Sequence, residues 1–332
     1  MRSLALCSSL GCAALLCVVG AAAQTPAGKP GGAFPAKPLR IIIPYPPGGT
    51  SDILARLLGV KITESWGQSV LVDNRTGANG NIGAEFVARS PADGYTYLVT
   101  DIGNLSVAPN VFKLPYDPHK DLAAVTTISY SPHLLTVHPS LPVKNTRDLI
   151  ALAKASPGKL NLPTGMGGAT HFGAMEIAQR TGIKWTYIGT RGGSDSSRSV
   201  MSGETEVLLL GMLQSLPHVK SGRLKLIAVS SDKRIPSLPD TPTIGEGSPA
   251  LAGFVSGSWQ GMLAPAKTPH ETIDKVNAEM GRILAMPDIR EKLQTQGTEP
   301  LPGKPQEMAK WMTTERDRNA RLIKATGFKM TE

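Results

Sequence analysis

The sequence predicts an α/β fold with two lobes, each a mostly parallel sheet flanked by helices. A chain of 332 residues is long for one domain and sufficient for two. Short apolar runs alternate with amphipathic helical patterns along most of it. Its 35 Gly and 27 Pro, with only 5% aromatic residues, suit many tight turns between strands and helices.

Residues 1–24 are predicted to form a cleaved signal peptide. Arg2 precedes an apolar stretch, and Ala21–Ala22–Ala23 before Gln24 has the pattern of a cleavage site. A membrane anchor is the alternative, but the apolar stretch is marginal in length for a span. A lipoprotein signal is disfavoured because Cys12 comes too early. We therefore expect an exported protein.

Cysteine content and charge exclude several classes of function. All three cysteines lie in the predicted signal, so the mature chain would have no disulfide, catalytic thiol or cysteine metal site. The net charge of +9 comes without a dense Lys/Arg tract or a basic run interleaved with aromatics, which argues against nucleic acid as a partner. A general preference for anions remains.

The first half of the chain alternates strands and helices. Residues 25–36 are rich in Pro and Gly and are predicted to be a disordered leader. The elements that follow are strand 39–45, helix 51–67, strand 69–74, helix 81–90 and strand 95–100. This βαβαβ order predicts a parallel sheet.

The second half repeats the alternation. Strands are predicted at 133–139, 159–164, 184–189, 206–211 and 258–265, with helices at 145–158, 170–182, 194–203, 269–285 and 305–327. A further helix end and strand lie within 218–230. We expect domain I to comprise residues 37–132 with 256–332, and domain II residues 133–255, with hinge segments near 128–138 and 252–260.

Glycine-rich junctions are the main candidates for a binding site. They occupy residues 44–52, 100–104, 163–171 and 190–195, each after a predicted strand and most before a helix. Ligands gather at the carboxyl ends of parallel strands, where helix N-termini present free N–H groups and a positive dipole end. Any single junction is equally consistent with an ordinary turn. Together, facing across a cleft, they predict a carboxylate site.

Other kinds of site lack support in the sequence. The chain has neither G-x-x-x-x-G-K-[ST] nor, at the first strand–helix junction, G-x-G-x-x-G, and it has no G-x-S-x-G elbow. The histidines are scattered, so no metal site and no cofactor are predicted; they are His119, His133, His138, His171, His218 and His270. Asp52 and Asp195 lie near helix starts, where capping explains them.

Four segments carry a family resemblance: "IIIPYPPGGTSDILARLL", "VLVDNRTGANGNIGAEFVARSPADGYTYLVT", "GRLKLIAVSSDKRIPSLPDTPTIGE" and "WQGMLAPAKTP". The chain resembles the Bug, or TctC-type, substrate-binding receptors of tripartite tricarboxylate transporters over about residues 37–330. The resemblance implies a periplasmic binding protein with a Venus-flytrap cleft, no cofactor and no enzymatic activity. It implies a small organic carboxylate as ligand, a tripartite-type membrane permease as partner, and a monomer.

The resemblance also implies a set of ligand-binding residues. They are Tyr45, Pro47, Gly48, Gly49, Thr50, Asp52, Asp101, Asn104, Gly168, Thr170, His171, Gly193, Ser194 and Asp195. The sequence departs from the family pattern at "NLPTGMGGATH" and "IGTRGGSD". Asp195 is expected to cap its helix or to receive a ligand amino group, and Arg191 to be exposed or to pair with a second carboxylate. An exported enzyme or a ligand sensor on the same fold remains the alternative function.

Overall fold

The computed structural model describes residues 34–295 and 297–328. The predicted signal peptide, residues 1–24, and most of the predicted leader lie outside these ranges. The end of the leader is ordered, because the Phe34 ring packs 5.8 Å from that of Trp66 and 5.2 Å from that of Tyr95. The Ala36 amide also donates to the Tyr95 hydroxyl at 2.9 Å. The packed chain thus begins before residue 37.

The first five elements form the predicted βαβαβ unit. They are β1 (Leu39–Ile43), α1 (Thr50–Trp66), β2 (Val70–Asn74), α2 (Asn81–Ala88) and β3 (Thr96–Asp101). Both β2 and β3 pair in parallel with β1, as the alternation predicted. A single 3₁₀ turn at Ala78–Gly80 leads into α2. The α/β fold class is therefore confirmed.

The next two elements were not fully predicted. Helix α3 (Ile102–Val111) contains Pro109 and is buried along most of its length, so it shows no amphipathic period. Strand β4 (Leu122–Val137) has 16 residues, although only its end was predicted as a strand. Its first part pairs with β9 (Gly257–Pro265), and its last part pairs with β7 (Val207–Gly211) and β8 (Lys225–Val229). One strand thus connects two regions of sheet.

The middle of the chain adds the other helices and strands of the second region. They are α4 (Thr146–Ala155), β5 (Asn161–Thr164), α5 (Ala169–Thr181), β6 (Thr186–Gly189), α6 (Gly193–Met201) and α7 (Met212–Lys220). Strands β5 and β6 pair in parallel, whereas β7 and β8 flank β4 in antiparallel orientation. Helix α7 begins directly after β7, earlier than the sequence predicted.

The C-terminal elements return to the first sheet. They are α8 (His270–Leu284), α9 (Pro287–Thr295), β10 (Glu299–Pro300) and α10 (Pro305–Thr326). Strand β9 inserts between β3 and β4, which gives the order β10-β4-β9-β3-β1-β2. None of the helices that the structure describes has the length and hydropathy of a membrane span.

Buried side chains form separate clusters around the two regions of sheet. One cluster includes Ile41, Leu58, Tyr97 and Met280 from β1, α1, β3 and α8. Another includes residues of β4, α4, α5 and β7, such as Leu135, Leu149, Ile177 and Leu209. Burying each such side chain contributes about 1.5–3 kcal/mol. These clusters hold in place the strands of both regions of sheet.

Candidate functional site

A cavity of about 70 Å³ lies where the loops after several strands meet. Its walls come from the ends of β1, β3, β5, β6 and β7 and from β4 and β9. The lining residues are Tyr45, Gly49, Thr50, Ser51, Asn79, Asp101, Asn104, His133, Gly165, Gly168, Ala169, Thr170, Gly192, Gly193, Leu210, Gly211, Gln214, Ser258 and Gln260.

Helix N-termini converge on this cavity. Helices α1, α5, α6 and α7 have as N-caps Gly49, Gly168, Gly192 and Gly211, and none of these caps supplies a side-chain hydrogen bond. All four glycines line the cavity. The first N–H groups of a helix lack intrahelical acceptors, and the dipole makes this end positive. The cavity is therefore surrounded by neutral donors suited to an anion.

Helix α3 differs because a carboxylate already occupies its N-terminus. Asp101 Oδ1 accepts hydrogen bonds from the amides of Gly103 and Asn104 at 2.9 and 3.4 Å. Burial raises the pKa of Asp101 to about 6, although the hydrogen bonds from Ser258 and these amides act in the opposite direction. Asp101 is thus a carboxyl in the cavity wall that titrates close to neutral pH.

A chain of buried hydrogen bonds connects Asp101 to the start of α1. Ser258 Oγ donates to Asp101 Oδ2 at 2.6 Å, and Gln260 Nε2 donates to Ser258 Oγ at 2.7 Å. Ser51 Oγ in turn donates to Gln260 Oε1 at 2.6 Å. Because each group in the chain has a partner, it fixes the relative positions of α1, β9 and α3.

No lysine or arginine lies among the described residues that line the cavity. His133 is buried, and burial lowers its pKa to about 3, so the imidazole is neutral near pH 7. Its Nδ1 lies 2.7 Å from Ser256 Oγ. An anion entering the cavity would therefore interact with amides, hydroxyls and dipoles rather than with a cationic side chain.

Loops from the two sides touch directly across the cavity. Asn104 Oδ1 accepts from the Ala169 amide at 2.5 Å, while Asn104 Nδ2 donates to the Tyr45 hydroxyl at 2.9 Å. Burial raises the pKa of Tyr45 to about 12, so its hydroxyl stays protonated. Ser194 Oγ donates to the Pro47 carbonyl at 3.2 Å. These hydrogen bonds join the loops around the cavity directly to one another.

The cavity brings together many of the residues predicted from the sequence. Those that line it are Tyr45, Gly49, Thr50, Asp101, Asn104, Gly168, Thr170 and Gly193. They come from each of the four glycine-rich junctions. The remaining six predicted residues lie outside the lining: Pro47, Gly48, Asp52, His171, Ser194 and Asp195.

Among these outer residues, Gly48 and Asp52 support the loop after β1. Asp52 Oδ2 accepts from the Gly48 amide at 3.0 Å, and Asp52 Oδ1 accepts from Arg56 Nε and Asn74 Nδ2, each at 3.0 Å. Burial opposes ionisation of Asp52, but these bonds together hold its pKa below the usual value. Gly48 has φ +80°, a conformation that favours glycine.

The other outer residues belong to the second region of sheet. Burial lowers the pKa of His171 to about 4, and its Nδ1 accepts from the Gly167 amide at 3.1 Å. Asp195 lies in the first turn of α6 and pairs with Arg191 at 2.6 Å and Arg198 at 3.1 Å. It therefore faces its own arginines rather than the cavity.

Several lining residues were missed by the sequence analysis. Gly211 follows a strand and precedes a helix like the other glycine caps, so the same pattern identifies it. His133, Ser258 and Gln260 lie on β4 and β9, far apart in sequence. Only strand pairing brings them to the cavity, since Gln260 lies opposite Asp101 in the β3–β9 register. No group of three or more potential metal ligands occurs in ranges 34–295 and 297–328.

Comparison with known proteins identifies the family. Residues 54–328 match the model of the tripartite tricarboxylate transporter family receptor. The chain belongs to this family. The resemblance inferred from the sequence motifs is thus confirmed. BugT of Bordetella pertussis is 31% identical over 304 residues, covering 90% of this chain and 91% of BugT.

Solved receptor structures are also similar. Rpa4515 of R. palustris, solved with adipate, has a TM-score of 0.85 and 32% identity, covering 89% of this chain and 98% of that protein. MatC of Rhodopseudomonas palustris, solved with bound malate, has a TM-score of 0.81 and 26% identity, covering 87% and 100% respectively. The family and fold are those of solute-binding receptors.

Proposed function

We propose that the protein is a periplasmic receptor that captures a small carboxylate in the cavity and delivers it to a tripartite-type membrane permease. One observation carries the proposal. Four helix N-termini with glycine caps meet at one cavity whose described lining has no lysine or arginine. Such an arrangement stabilises a carboxylate through helix-terminal amides and dipoles.

The similar structures support the ligand class. Rpa4515 was solved with adipate and MatC with malate, and both ligands are carboxylates. Because this chain shares their fold along most of its length, a carboxylate is the ligand class that the cavity's donors suit best.

We assign different roles to the residues predicted for the site. Amides at the starts of α1, α5 and α6, including those of Thr50, Thr170 and Gly193, would bind the carboxylate. Tyr45 and Asn104 would orient the loops around it. The six outer residues would support the binding loops: Pro47, Gly48, Asp52, His171, Ser194 and Asp195.

Ligand capture would proceed by hinge closure. The proposed lobes are residues 37–132 with 256–332 and residues 133–255, and β4 and the start of β9 would form the hinge segments between them. The Asn104–Ala169 hydrogen bond joins the two proposed lobes and would break on opening, and a bound carboxylate would add contacts to the closed state. The ligand would therefore shift the equilibrium toward closure and exclude water from its carboxylate.

The remaining parts of the proposal concern location and assembly. Residues 1–24 would direct export to the periplasm and be cleaved there, and the mature receptor would act as a monomer. It would bind its ligand without a cofactor and without turnover. The receptor family of the chain supports the periplasmic location.

Native mass spectrometry of the purified protein is the first test, since a retained carboxylate would identify the ligand. A library of mono-, di- and tricarboxylates should then raise the melting temperature for at least one compound. If no carboxylate is retained on the purified protein and none raises its melting temperature, the proposed function is wrong. Chemical conversion of a bound ligand would instead support an enzyme.

A further inference from the structure

A groove of about 760 Å³ lies beside the cavity. Asn79 borders both spaces, and the groove residues Met166 and Arg191 directly adjoin the cavity residues Gly165 and Gly192 in the chain, so the two spaces are neighbours. Its lining includes the apolar Phe112, Met166 and Ile188 and the charged Arg191, Asp195 and Arg198. The family resemblance assigned only Asp195 among these side chains.

Phe112, Met166 and Ile188 form an apolar shelf along this groove. Ile188 is 38% exposed on the short strand β6. A Cβ placed on Gly167 would lie 3.1 Å from Phe112 Cζ, so the ring packs against the loop that borders the cavity. Met166 belongs to that same loop. The apolar shelf therefore begins where the cavity ends.

The charged side of the groove is balanced. Arg191 and Arg198 both pair with Asp195, at 2.6 and 3.1 Å, and the exposed Glu204 also lines the groove. Two guanidinium groups and two carboxylates carry no net charge together. The groove consequently offers little attraction for a second anionic group, whereas its apolar shelf offers surface for a hydrocarbon.

The sizes of the two spaces lead to the same conclusion. The cavity measures about 70 Å³ and the groove about 760 Å³, so a ligand whose carboxylate lies in the cavity finds most of the remaining room in the groove. Asn79 lines both spaces. That residue is held in the left-handed region at φ 52° and ψ 35°, next to Ala78 at φ 46°. This tight turn fixes the boundary between cavity and groove.

We propose that the groove binds the apolar body of a monocarboxylate, an alkyl or aryl acid, whose carboxylate lies in the cavity. This inference rests on the proposed function, because it requires the cavity to hold the carboxylate. The ligand class is thus an amphipathic acid rather than a compact polyacid.

Calorimetric titration with butanoate, pentanoate and hexanoate tests the inference, with succinate, citrate and 1-hexanol as comparators. Affinity should rise about two- to fourfold for each added methylene that the groove covers. Hexanoate should bind more tightly than succinate or citrate. 1-Hexanol should not bind detectably, because it lacks the carboxylate that the cavity holds.

Variants identify the surface responsible. Ile188→Ser and Met166→Gln should each lower the ratio of hexanoate to butanoate affinity by at least about twofold, with butanoate affinity little changed. Leu301→Ser is the matched control, since Leu301 is also 38% exposed but lies outside the groove. It should retain the wild-type ratio.

The outcomes separate the two proposals. If no carboxylate binds, the proposed function fails. If carboxylates bind with affinities independent of chain length, or only polyacids bind, the groove inference is wrong while the proposed function stands. An unchanged ratio in both groove variants, or binding of 1-hexanol as tight as that of hexanoate, also overturns the inference.

Discussion

Asn104 Oδ1 accepts a 2.5 Å hydrogen bond from the amide of Ala169, the first residue of α5, on the opposite side of the cavity. Helix α5 has a glycine N-cap, so Asn104 supplies from a distant loop the capping acceptor that the helix lacks locally. The other end of the same carboxamide donates to Tyr45. One side chain therefore joins the loop after β1 to the start of α5.

Asn104→Ala should weaken carboxylate binding by about tenfold, because closure then leaves the Ala169 amide and the Tyr45 hydroxyl without this partner. Calorimetry with the carboxylate found by mass spectrometry measures the effect. Asn110→Ala is the control, since Asn110 lies on the same helix but donates to the Arg316 carbonyl. Equal affinities for the two variants would contradict the role of Asn104.

Gly168→Ala should reduce affinity by at least about tenfold. An added Cβ would lie 2.9 Å from both Asn104 Oδ1 and the Gly165 carbonyl oxygen, which is too close for the closed cleft. Gly281→Ala on α8 provides the control, because a Cβ added there would have no heavy atom within 4 Å. That change should leave binding intact and stabilise the helix by about 0.5–1 kcal/mol. Wild-type affinity in Gly168→Ala would remove this glycine from the site.

Asp52→Asn should lower the free energy of unfolding at pH 7 by about 1–3 kcal/mol, because the loop amide of Gly48 and Arg56 lose a charged acceptor. The hydrogen bonds hold the pKa of Asp52 below its usual value despite burial. Its stabilisation is therefore present above about pH 4 and is lost as the pH falls through the folded-state pKa.

Denaturant titrations from pH 7 to pH 3 measure this dependence. The difference between wild type and Asp52→Asn should shrink below about pH 4. Substitution of the exposed Asp240 by Asn should have an effect below about 0.5 kcal/mol. A constant difference for Asp52→Asn across this range would argue against a charged Asp52 in the loop.

Asp101→Asn should remove a pH dependence of ligand binding. Burial raises the pKa of Asp101 to about 6, so the ionised group contributes an unfavourable charge beside a bound carboxylate above that pH. Wild-type affinity should then rise as pH falls from about 7.5 to 5.5. His133 stays neutral and Tyr45 protonated over this range, so neither accounts for the change.

The same raised pKa affects folding stability. Protonated Asp101 is favoured in the folded state, so this contribution is fully present below about pH 4 and is lost as pH rises through about 6. Asp101→Asn should flatten both profiles between pH 5.5 and 7.5 in calorimetry and denaturant titration. A variant that keeps the wild-type binding profile would show that another group titrates.

Local patterns in the sequence were sufficient for much of the fold. The apolar run of β1, the amphipathic face of α1 and the turns between them predicted the first βαβαβ unit. Helix α3 was missed because it is buried on most sides, and α7 because its Pro217 and its short length hide a helical period. In both, tertiary packing rather than periodicity decides the structure.

The sequence by itself determined that glycines follow strands and precede helices, and hence that helix N-termini without a capping side chain of their own gather at the strand ends. A glycine at the N-cap of a helix can be recognised from the sequence, because it depends only on which residue stands between the strand and the helix. The family motifs also lie within continuous segments. These features were enough to predict a receptor for an anion.

Only the tertiary structure decided which side chains face the cavity. Gln260 and Ser258 reach it because β9 runs beside β3, and Asn104 reaches Ala169 because two loops meet across the cleft. Asp52 and Asp195 differ, because their partners Gly48, Arg191 and Arg198 lie only three or four positions away in the chain. For Gln260, Ser258 and Asn104, strand register and interloop contacts join residues far apart in the chain, so no local pattern encodes their orientations.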